Sequence, residues 1–202
     1  PDCEADDVIG YISKYSFPNE KKMILSSDKD FYQLLGEKVE IYSPTKKMRI
    51  THSDIVDEYN ISPENFCLAK SICGDSSDNI SGIKGAGFKT IAKRFPLMKG
   101  EESVMLSEIL KICQERHVDK RSPKIYSDLI ENKDIIKRNW RLIYLDTSNL
   151  SHNQIKRIGD TIDTFEPSRD KISVMRTLIR EGIKTLDIDR FFLSFNAIRD
   201  TR

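Results

Sequence analysis

Three short groups of carboxylates stand out in the sequence, each of a kind that can hold a metal ion. Glu4-Ala5-Asp6-Asp7 opens the first helical pattern, and Glu4 and Asp7, three apart, share one face of it. Asp28-Lys29-Asp30 follows a short apolar run, and the carboxyl ends of strands are where open α/β sheets bind ligands. Gly74-Asp75-Ser76-Ser77-Asp78-Asn79 presents two carboxylates three apart in a loop-forming composition. Hard divalent cations take oxygen ligands from a few carboxylates, water and substrate phosphate. Two such ions about 4 Å apart can activate a water and stabilise the leaving oxygen when a phosphodiester is cut. Carboxylates gathered without basic partners repel one another unless cations sit among them.

Taken singly, each group has an ordinary reading. Acids in a helix's first turn complement its dipole. An aspartate after a strand is commonly a cap, and an Asp/Asn/Ser/Gly loop is commonly a turn. The joint occurrence of all three, in this order, is what points to metal chemistry.

A second feature suits phosphate. Gly82-Ile83-Lys84-Gly85-Ala86-Gly87 is followed by Phe88-Lys89-Thr90, and the stretch from Gly82 to Lys99 holds Lys84, Lys89, Lys93, Arg94 and Lys99 with no acid. Glycines let backbone approach a phosphate closely, and the N-terminus of the following helix offers free N–H groups. A dinucleotide-binding fold is a poor match, because no strand leads closely into the glycines and no acid follows at the required spacing. A hairpin between two helices that grips one DNA strand by its backbone fits better, a contact that positions without reading sequence. Gly82, Lys84, Gly85, Gly87, Lys89, Thr90 and Lys93 are its candidate DNA-binding residues.

The elements that must position these groups are read from pattern. The expected helices are Cys3–Tyr15, Asp30–Leu35 with Asp28 as its cap, Ser53–Tyr59, Pro63–Cys73 capped by Ser62, and Phe88–Phe95. Met23–Ser27 reads as a buried strand, Val39–Ser43 as a second, and Met48–Ile50 as its hairpin partner. Gly74 to Gly87 reads as loop. Helices are expected at Glu102–Arg116, Ser127–Asn139, Ser151–Phe165, Asp170–Glu181 and Asp187–Asn196, with Leu142–Leu145 either extending a helix or running extended. Strands come first and helices later, so the fold class is α/β, with a strand-bearing part over 1–60, helices and the glycine-rich loop over 61–146 and a mostly helical C-terminal lobe over 147–202.

Composition narrows the class. With 38% hydrophobic and 32% charged residues, the chain suits a large solvated surface over a limited core. No apolar run approaches the ~20 residues of a membrane span, and the acidic opening residues predict no secretory leader, so the expected location is the cytoplasm. Cys3, Cys67, Cys73 and Cys113 form no CxxC pair and suit reduced thiols. His52, His117 and His152 are isolated. Trp140 and Tyr144, at helical spacing, are expected in the core, with a base-stacking platform as the lesser reading, and Lys46-Lys47 in a solvated turn, with a phosphate contact as the lesser reading.

The motifs EADDVIGYI, SSDKDFYQLL and CGDSSDNISGIKGAGFKTIAKRF stand in the order and approximate spacing of the 5′-nuclease (flap endonuclease) superfamily. The chain resembles the 5′-nuclease domain of bacterial DNA polymerase I and the phage 5′-exonucleases over residues 1 to 146. Its tail from Ser151 is more similar to the helical C-terminal lobe of the T-even phage ribonuclease H. The resemblance implies a partial parallel-sheet nuclease core of the PIN type over 1–60 and a helix–three-turn–helix region over 61–146, followed by the helical lobe. It implies a two-metal phosphodiesterase cutting near the 5′ ends of branched or RNA-primed DNA, with magnesium as cofactor and manganese as a substitute. It implies that Glu4, Asp6, Asp7, Asp28, Asp30, Asp75 and Asp78 are the metal-ligating, catalytic acids. It also implies that Gly82 to Gly87 with Lys89 and Thr90 form the hairpin that holds downstream duplex, often with a potassium ion. In the family, a strand bearing an aspartate, a second aspartate and a helical arch precede the EADD motif. They are expected to lie outside this chain, on a separate N-terminal half or on a removed segment. The chain alone is therefore expected to bind DNA and to cleave it poorly.

The implied partners are DNA with a 5′ flap, nick or RNA primer, and replication proteins docking on the C-terminal lobe; no membrane is implied. Phe191, Phe192, Leu193 and Phe195 suit such docking, although packing of a terminal helix explains them as well. A non-catalytic DNA-binding module or replication scaffold is the alternative function, and the retention of seven acids at these positions argues against it.

Overall fold

The computed structural model describes residues 3–117, 122–146, 150–166 and 170–197, the last without the side chains of 195–197. Helix α1 (Ala5–Tyr15) leads to strand β1 (Lys22–Leu25), a 3-10 helix (Lys29–Leu34), β2 (Val39–Ser43) and β3 (Met48–Ile50). Then come α2 (His52–Tyr59), α3 (Pro63–Cys73), the two-residue strands β4 (Gly74–Asp75) and β5 (Ile80–Ser81), and α4 (Phe88–Arg94). Helices α5 (Leu106–Arg116), α6 (Ile125–Glu131), α7 (Lys133–Ile143), α8 (His152–Thr164), α9 (Lys171–Arg180) and α10 (Ile188–Ala197) follow. The architecture is mixed α/β, with the sheet early and helices later.

Two chain segments form compact units, Pro1–Ile155 and Lys156–Arg202. In the first, β1 pairs parallel with β2, and β2 pairs antiparallel with β3. Strand β2 alternates buried and half-buried residues, as a strand covered on one face should. Ile24, Phe31, Ile41, Ile50, Ile55 and Phe66 fill the core beneath the sheet. A second core of Ile72, Ile91, Phe95, Ile109, Leu129 and Ile136 lies among the helices. Tyr59 and Phe88 pack against both, and their rings meet Phe66 at 5.2 Å. In the second unit, Asp170 caps α9 through the Ile172 amide, and Lys171 reaches Asp189 of α10 at 2.5 Å.

The structure departs from pattern in four places. The run expected as one helix over Ser127–Asn139 is two, α6 and α7, broken at Asn132. Asn132 sits at φ −104°, ψ 22°, and its side-chain amide donates to the Asp128 carbonyl at 2.7 Å, ending α6. The helix expected from Glu102 begins at Leu106, because residues before it are drawn aside by Asn65, whose Oδ1 accepts from the Val104 amide at 2.7 Å and whose Nδ2 lies 2.9 Å from the Glu102 carbonyl. The strand expected to be buried is an outer edge: Met23 is 40% and Leu25 71% exposed. Trp140 is 38% exposed rather than in the core, because Ile136, Asn139 and Ile143 take the buried face of α7.

The loop after α3 is held by a backbone crossing. Gly74 lies at φ +80°, and a Cβ there would sit 2.3 Å from the Gly82 nitrogen. A Cβ on Gly82 would sit 2.0 Å from the Cys73 carbonyl oxygen. The two glycines let the chain cross itself, and β4 and β5 close the turn that carries Asp75 and Asp78. Asn139 of α7 locks the crossing, donating to the carbonyls of Ser71 at 3.0 Å and Ser81 at 2.9 Å. Gly85 differs: it also has φ +80°, but nothing lies within 4 Å of its Cβ position. Gly82→Ala is therefore expected to destabilise by about 3 kcal/mol or more, as backbone clashes do, and Gly85→Ala by roughly 1–2 kcal/mol of left-handed strain. Urea unfolding of the two variants checks the order.

Candidate metal centre

The carboxylates are brought together by different elements, each for a local reason. Glu4 precedes the first turn of α1, and its backbone N–H donates to Asp7 Oδ2 at 3.3 Å. Asp28 caps the 3-10 helix after β1, its Oδ1 accepting from the Asp30 amide at 2.9 Å. Asp75 Oδ1 accepts from the Ser77 amide at 2.9 Å and the Ser77 hydroxyl at 2.5 Å, which shapes the turn between β4 and β5. Asn79, at φ 56°, completes that turn in the left-handed conformation asparagine tolerates. The ordinary roles of cap and turn are real, and the same side chains also converge.

They converge on a cavity of about 750 Å³ lined by Glu4, Asp6, Asp7, Asp28, Asp30 and Asp78. Asp75 faces a neighbouring cavity of about 450 Å³ with Asp28, Lys29 and Lys70. Among the described residues, Asp30, Asp75 and Asp78 bring carboxylate oxygens within 4.8 Å of one another. Glu4, Asp6, Asp7 and Asp28 are not part of that tight group, though all four line the larger cavity. Three hard oxygen donors at this separation fit a divalent cation, and Asp30, Asp75 and Asp78 are the residues that would hold it.

Lys70 is the residue that motif reading misses. It is 5% exposed in α3, and its Nζ bonds Asp30 Oδ1 and lies 2.5 Å from Asp75 Oδ2. Burial alone would lower its pKa, yet the bonds from Asp30 and Asp75 raise it, so the ammonium stays charged. Burial raises the Asp30 carboxyl, an effect Lys70 opposes. Burial also acts upward on Asp75, but hydrogen bonds from Lys70 and Ser77 outweigh it and hold that carboxyl well below the usual range. Asp6 has no such relief: desolvation and then the charges of Asp28, Glu4, Asp7 and Asp78 raise it. The larger cavity is thus lined mainly by carboxylates, a negative field that a cation would relieve. Among the described residues, Arg141 is the one basic residue lining it.

The rim opposite the sheet is fixed by two more residues without a motif. Gln33 Nε2 donates to the Ile143 carbonyl at 2.9 Å, and its Oε1 accepts from the Leu145 amide at 3.0 Å. Lys14 donates to the Leu145 carbonyl at 2.6 Å. His52, isolated in sequence, pairs with Glu64 at 3.3 Å, away from the acids. The four cysteines are free thiols, and burial pushes Cys67 and Cys73 up to about 12, which makes them poor nucleophiles.

The hairpin lies just beyond the acids. Ile83 and Ala86 are buried, and the Ile83 amide donates to the Ile72 carbonyl at 2.8 Å. Lys84, Gly85, Gly87, Lys89 and Lys93 face solvent, while Thr90 is half-buried. Gly87 is the N-cap of α4, and its carbonyl accepts from the Thr90 and Ile91 amides. Gly82 is placed otherwise: the backbone crossing accounts for its missing side chain.

Residues 1–60 match the family model described as the 5′-3′ exonuclease N-terminal, resolvase-like domain. The thermostable DNA polymerase I of Thermus aquaticus is 31% identical over 148 residues, 73% of this chain and 16% of the polymerase. The 5′-3′ exonuclease of Buchnera aphidicola (from Acyrthosiphon pisum) is 41% identical over 91 residues, 45% of this chain and 32% of that protein. A mutant T5 5′-exonuclease superposes with a TM-score of 0.62 at 25% identity, covering 79% of this chain and 64% of that one. The chain is thus similar to 5′-nucleases in sequence and in fold. It spans about a sixth of the polymerase and a third of the Buchnera enzyme. Two other T5 structures of this family hold divalent metal: one has zinc, and a flap endonuclease complex has DNA and metal ions.

Removing Lys70 leaves Asp30 and Asp75 partly buried without a counter-charge, a loss that costs about 3–5 kcal/mol in buried pairs. Lys70→Met is expected to lower thermal stability by that order. Added divalent cation should then raise the melting temperature of the variant more than that of the parent, because the ion replaces the ammonium. Melting curves with and without magnesium check this; an equal shift in both would contradict it.

Proposed function

We propose that this chain carries the metal site and duplex grip of a metal-dependent, structure-specific 5′-nuclease that acts on DNA with a 5′ flap, nick or RNA primer. The observation that carries the reading is the approach of Asp30, Asp75 and Asp78 within 4.8 Å, beside a cavity lined by four further acids and next to an acid-free lysine hairpin. Magnesium is the cofactor that suits carboxylate, water and phosphate ligands, with manganese as a substitute. When bound, such ions supply water activation and stabilisation of the leaving oxygen.

The chain's own residues do the rest. Asp75 and Asp78 hold cation from the β4–β5 turn, and Asp30 does so from the 3-10 helix that follows β1. Glu4, Asp6, Asp7 and Asp28 keep the neighbouring cavity negative. Lys70 orients Asp30 and Asp75 through its bonds to both and holds the Asp75 carboxyl ionised, ready to receive a cation. Lys84, Lys89, Thr90 and Lys93, with the backbone of Gly85 and Gly87, hold phosphates of the duplex; potassium bound at this hairpin would add a further positive charge facing them.

One observation favours a second reading, a non-catalytic DNA-binding module. The Lys70 ammonium already neutralises two of the three clustered carboxylates. Docking of replication proteins on the C-terminal lobe is supported by Phe191 and Leu193 of α10, which are exposed, as are Ile172 and Ile179 of α9, while Phe192 is buried. The side chain of Phe195 lies outside the described residues.

The grip is tested by measuring duplex affinity in EDTA at several salt concentrations. Each phosphate-contacting lysine contributes about 0.9 to the slope of log affinity on log salt. Lys84→Ala and Lys89→Ala are each expected to flatten the slope by roughly one, and Lys46→Ala, ion-paired to Glu58 at 3.2 Å, to leave it unchanged. Slopes unaffected by the hairpin changes would contradict the reading.

A further inference from the structure

Helix α7 presents a face that neither the acids nor the hairpin explain. Lys133, Lys137, Trp140, Arg141 and the capping Tyr144 recur at helical spacing on it, and all but Tyr144 are exposed. Beside them lies a groove of about 380 Å³, with Leu68, Val104, Leu106 and Ile136 in its walls and Lys137, Trp140 and Arg141 among its lining; among the described residues no acid lines it.

This groove adjoins the acidic cavity. Trp140 stacks on Tyr144 with ring centroids 4.2 Å apart and planes 19° from parallel. Tyr144 lines the acidic cavity, and Lys14 sits 4.8 Å over its ring. Arg141 lines both spaces and has no ion-pair or hydrogen-bond partner among the described residues. Lys137 reaches only Asp134 at 3.6 Å, an exposed pair of the weak surface kind.

We propose that this groove seats an unpaired nucleotide of the substrate, its base against Trp140 and its phosphate on Arg141. The inference rests on the nucleic-acid reading above and adds a second contact, made by residues other than the hairpin's, beside the acidic cavity. An aromatic flanked by cations is what sequence-tolerant binding of single strands uses, since every base has a face to stack. Charge decides the occupant: the rim is basic without an acid, and Arg141 makes the groove continuous with a cavity suited to phosphate chemistry. Trp140 and Arg141 are positioning residues under this reading. They would distinguish a substrate with an unpaired strand beside the cut from a plain duplex.

Trp140 is the chain's single tryptophan, so its fluorescence reports on the groove directly. The full chain is titrated in EDTA with decathymidylate, and separately with a blunt duplex. Decathymidylate is expected to quench Trp140 saturably, and the duplex to bind with little quenching. Arg141→Ala should weaken decathymidylate binding roughly tenfold, as loss of a charged hydrogen bond does. Followed by anisotropy of labelled decathymidylate, Trp140→Ala should weaken binding by about 5- to 100-fold, the range for losing one base stack, while Trp140→Phe keeps most of the affinity. Circular dichroism shows whether each variant folds. Duplex binding with unchanged Trp140 emission on decathymidylate would overturn the groove and leave the functional reading intact; failure of both nucleic acids to bind would overturn that reading too. Quenching insensitive to Arg141→Ala, or an emission change with protein concentration alone, would mark a protein-docking groove and overturn the proposal.

Discussion

A lysine that should not be buried organises the centre of this molecule. Lys70 sits in the interior of α3, almost wholly out of water, and its ammonium bridges Asp30 and Asp75. An uncompensated charge there would be severely unfavourable, so the partners must be present and correctly placed. That requirement ties three separately formed elements together. Asp30 comes from the 3-10 helix that ends β1, Lys70 from α3, and Asp75 from the turn that β4 and β5 close. The Gly74–Gly82 crossing and the Asn139 hydrogen bonds hold the last of these in register. Asp78 then arrives beside the pair through the same turn.

This arrangement resolves a tension among the acids. Aspartates at caps and turns usually have no further role, and Asp7, Asp28 and Asp75 do make cap and turn contacts here. Those contacts fix the side chains locally at little entropic cost, and the fold then aims them at common spaces. A site built this way is rigid before any ligand arrives. The chain has both a lysine-neutralised cluster and, next to it, a second group of acids around Asp6, whose carboxyl is raised by burial and by its acidic neighbours. The two environments differ in how strongly they would draw a cation.

Much of the fold could be read from the chain. Strands β2 and β3 fall where alternation and the Pro44 turn place them, and α3 begins where Ser62-Pro63 predicts. The acids were legible because carboxylate clusters without bases are conspicuous. Lys70 was not, because a lysine in a helical pattern reads as a solvated position and its partner Asp30 is 40 residues away in sequence. Gln33 and Asn139 act through main-chain atoms of distant segments and leave no pattern. Trp140 was misplaced because Asn139, a polar residue, occupies the buried face that periodicity would give to an aromatic. Gly82 carries two readings in sequence, because a glycine required by a backbone crossing looks the same as one required by a ligand. The apolar run of β1 announced a strand without revealing that Leu25 faces outward.

The central claim is that Asp30, Asp75 and Asp78 form a divalent-cation site held ready by Lys70. Anomalous diffraction from crystals soaked in manganese tests it most directly. The account predicts a manganese peak within coordination distance of Asp75 and Asp78 oxygens, with Lys70 still beside Asp30 or displaced from it by the ion. Manganese absent from these carboxylates at saturating concentration, with the Lys70 bridge to both aspartates intact, would contradict it.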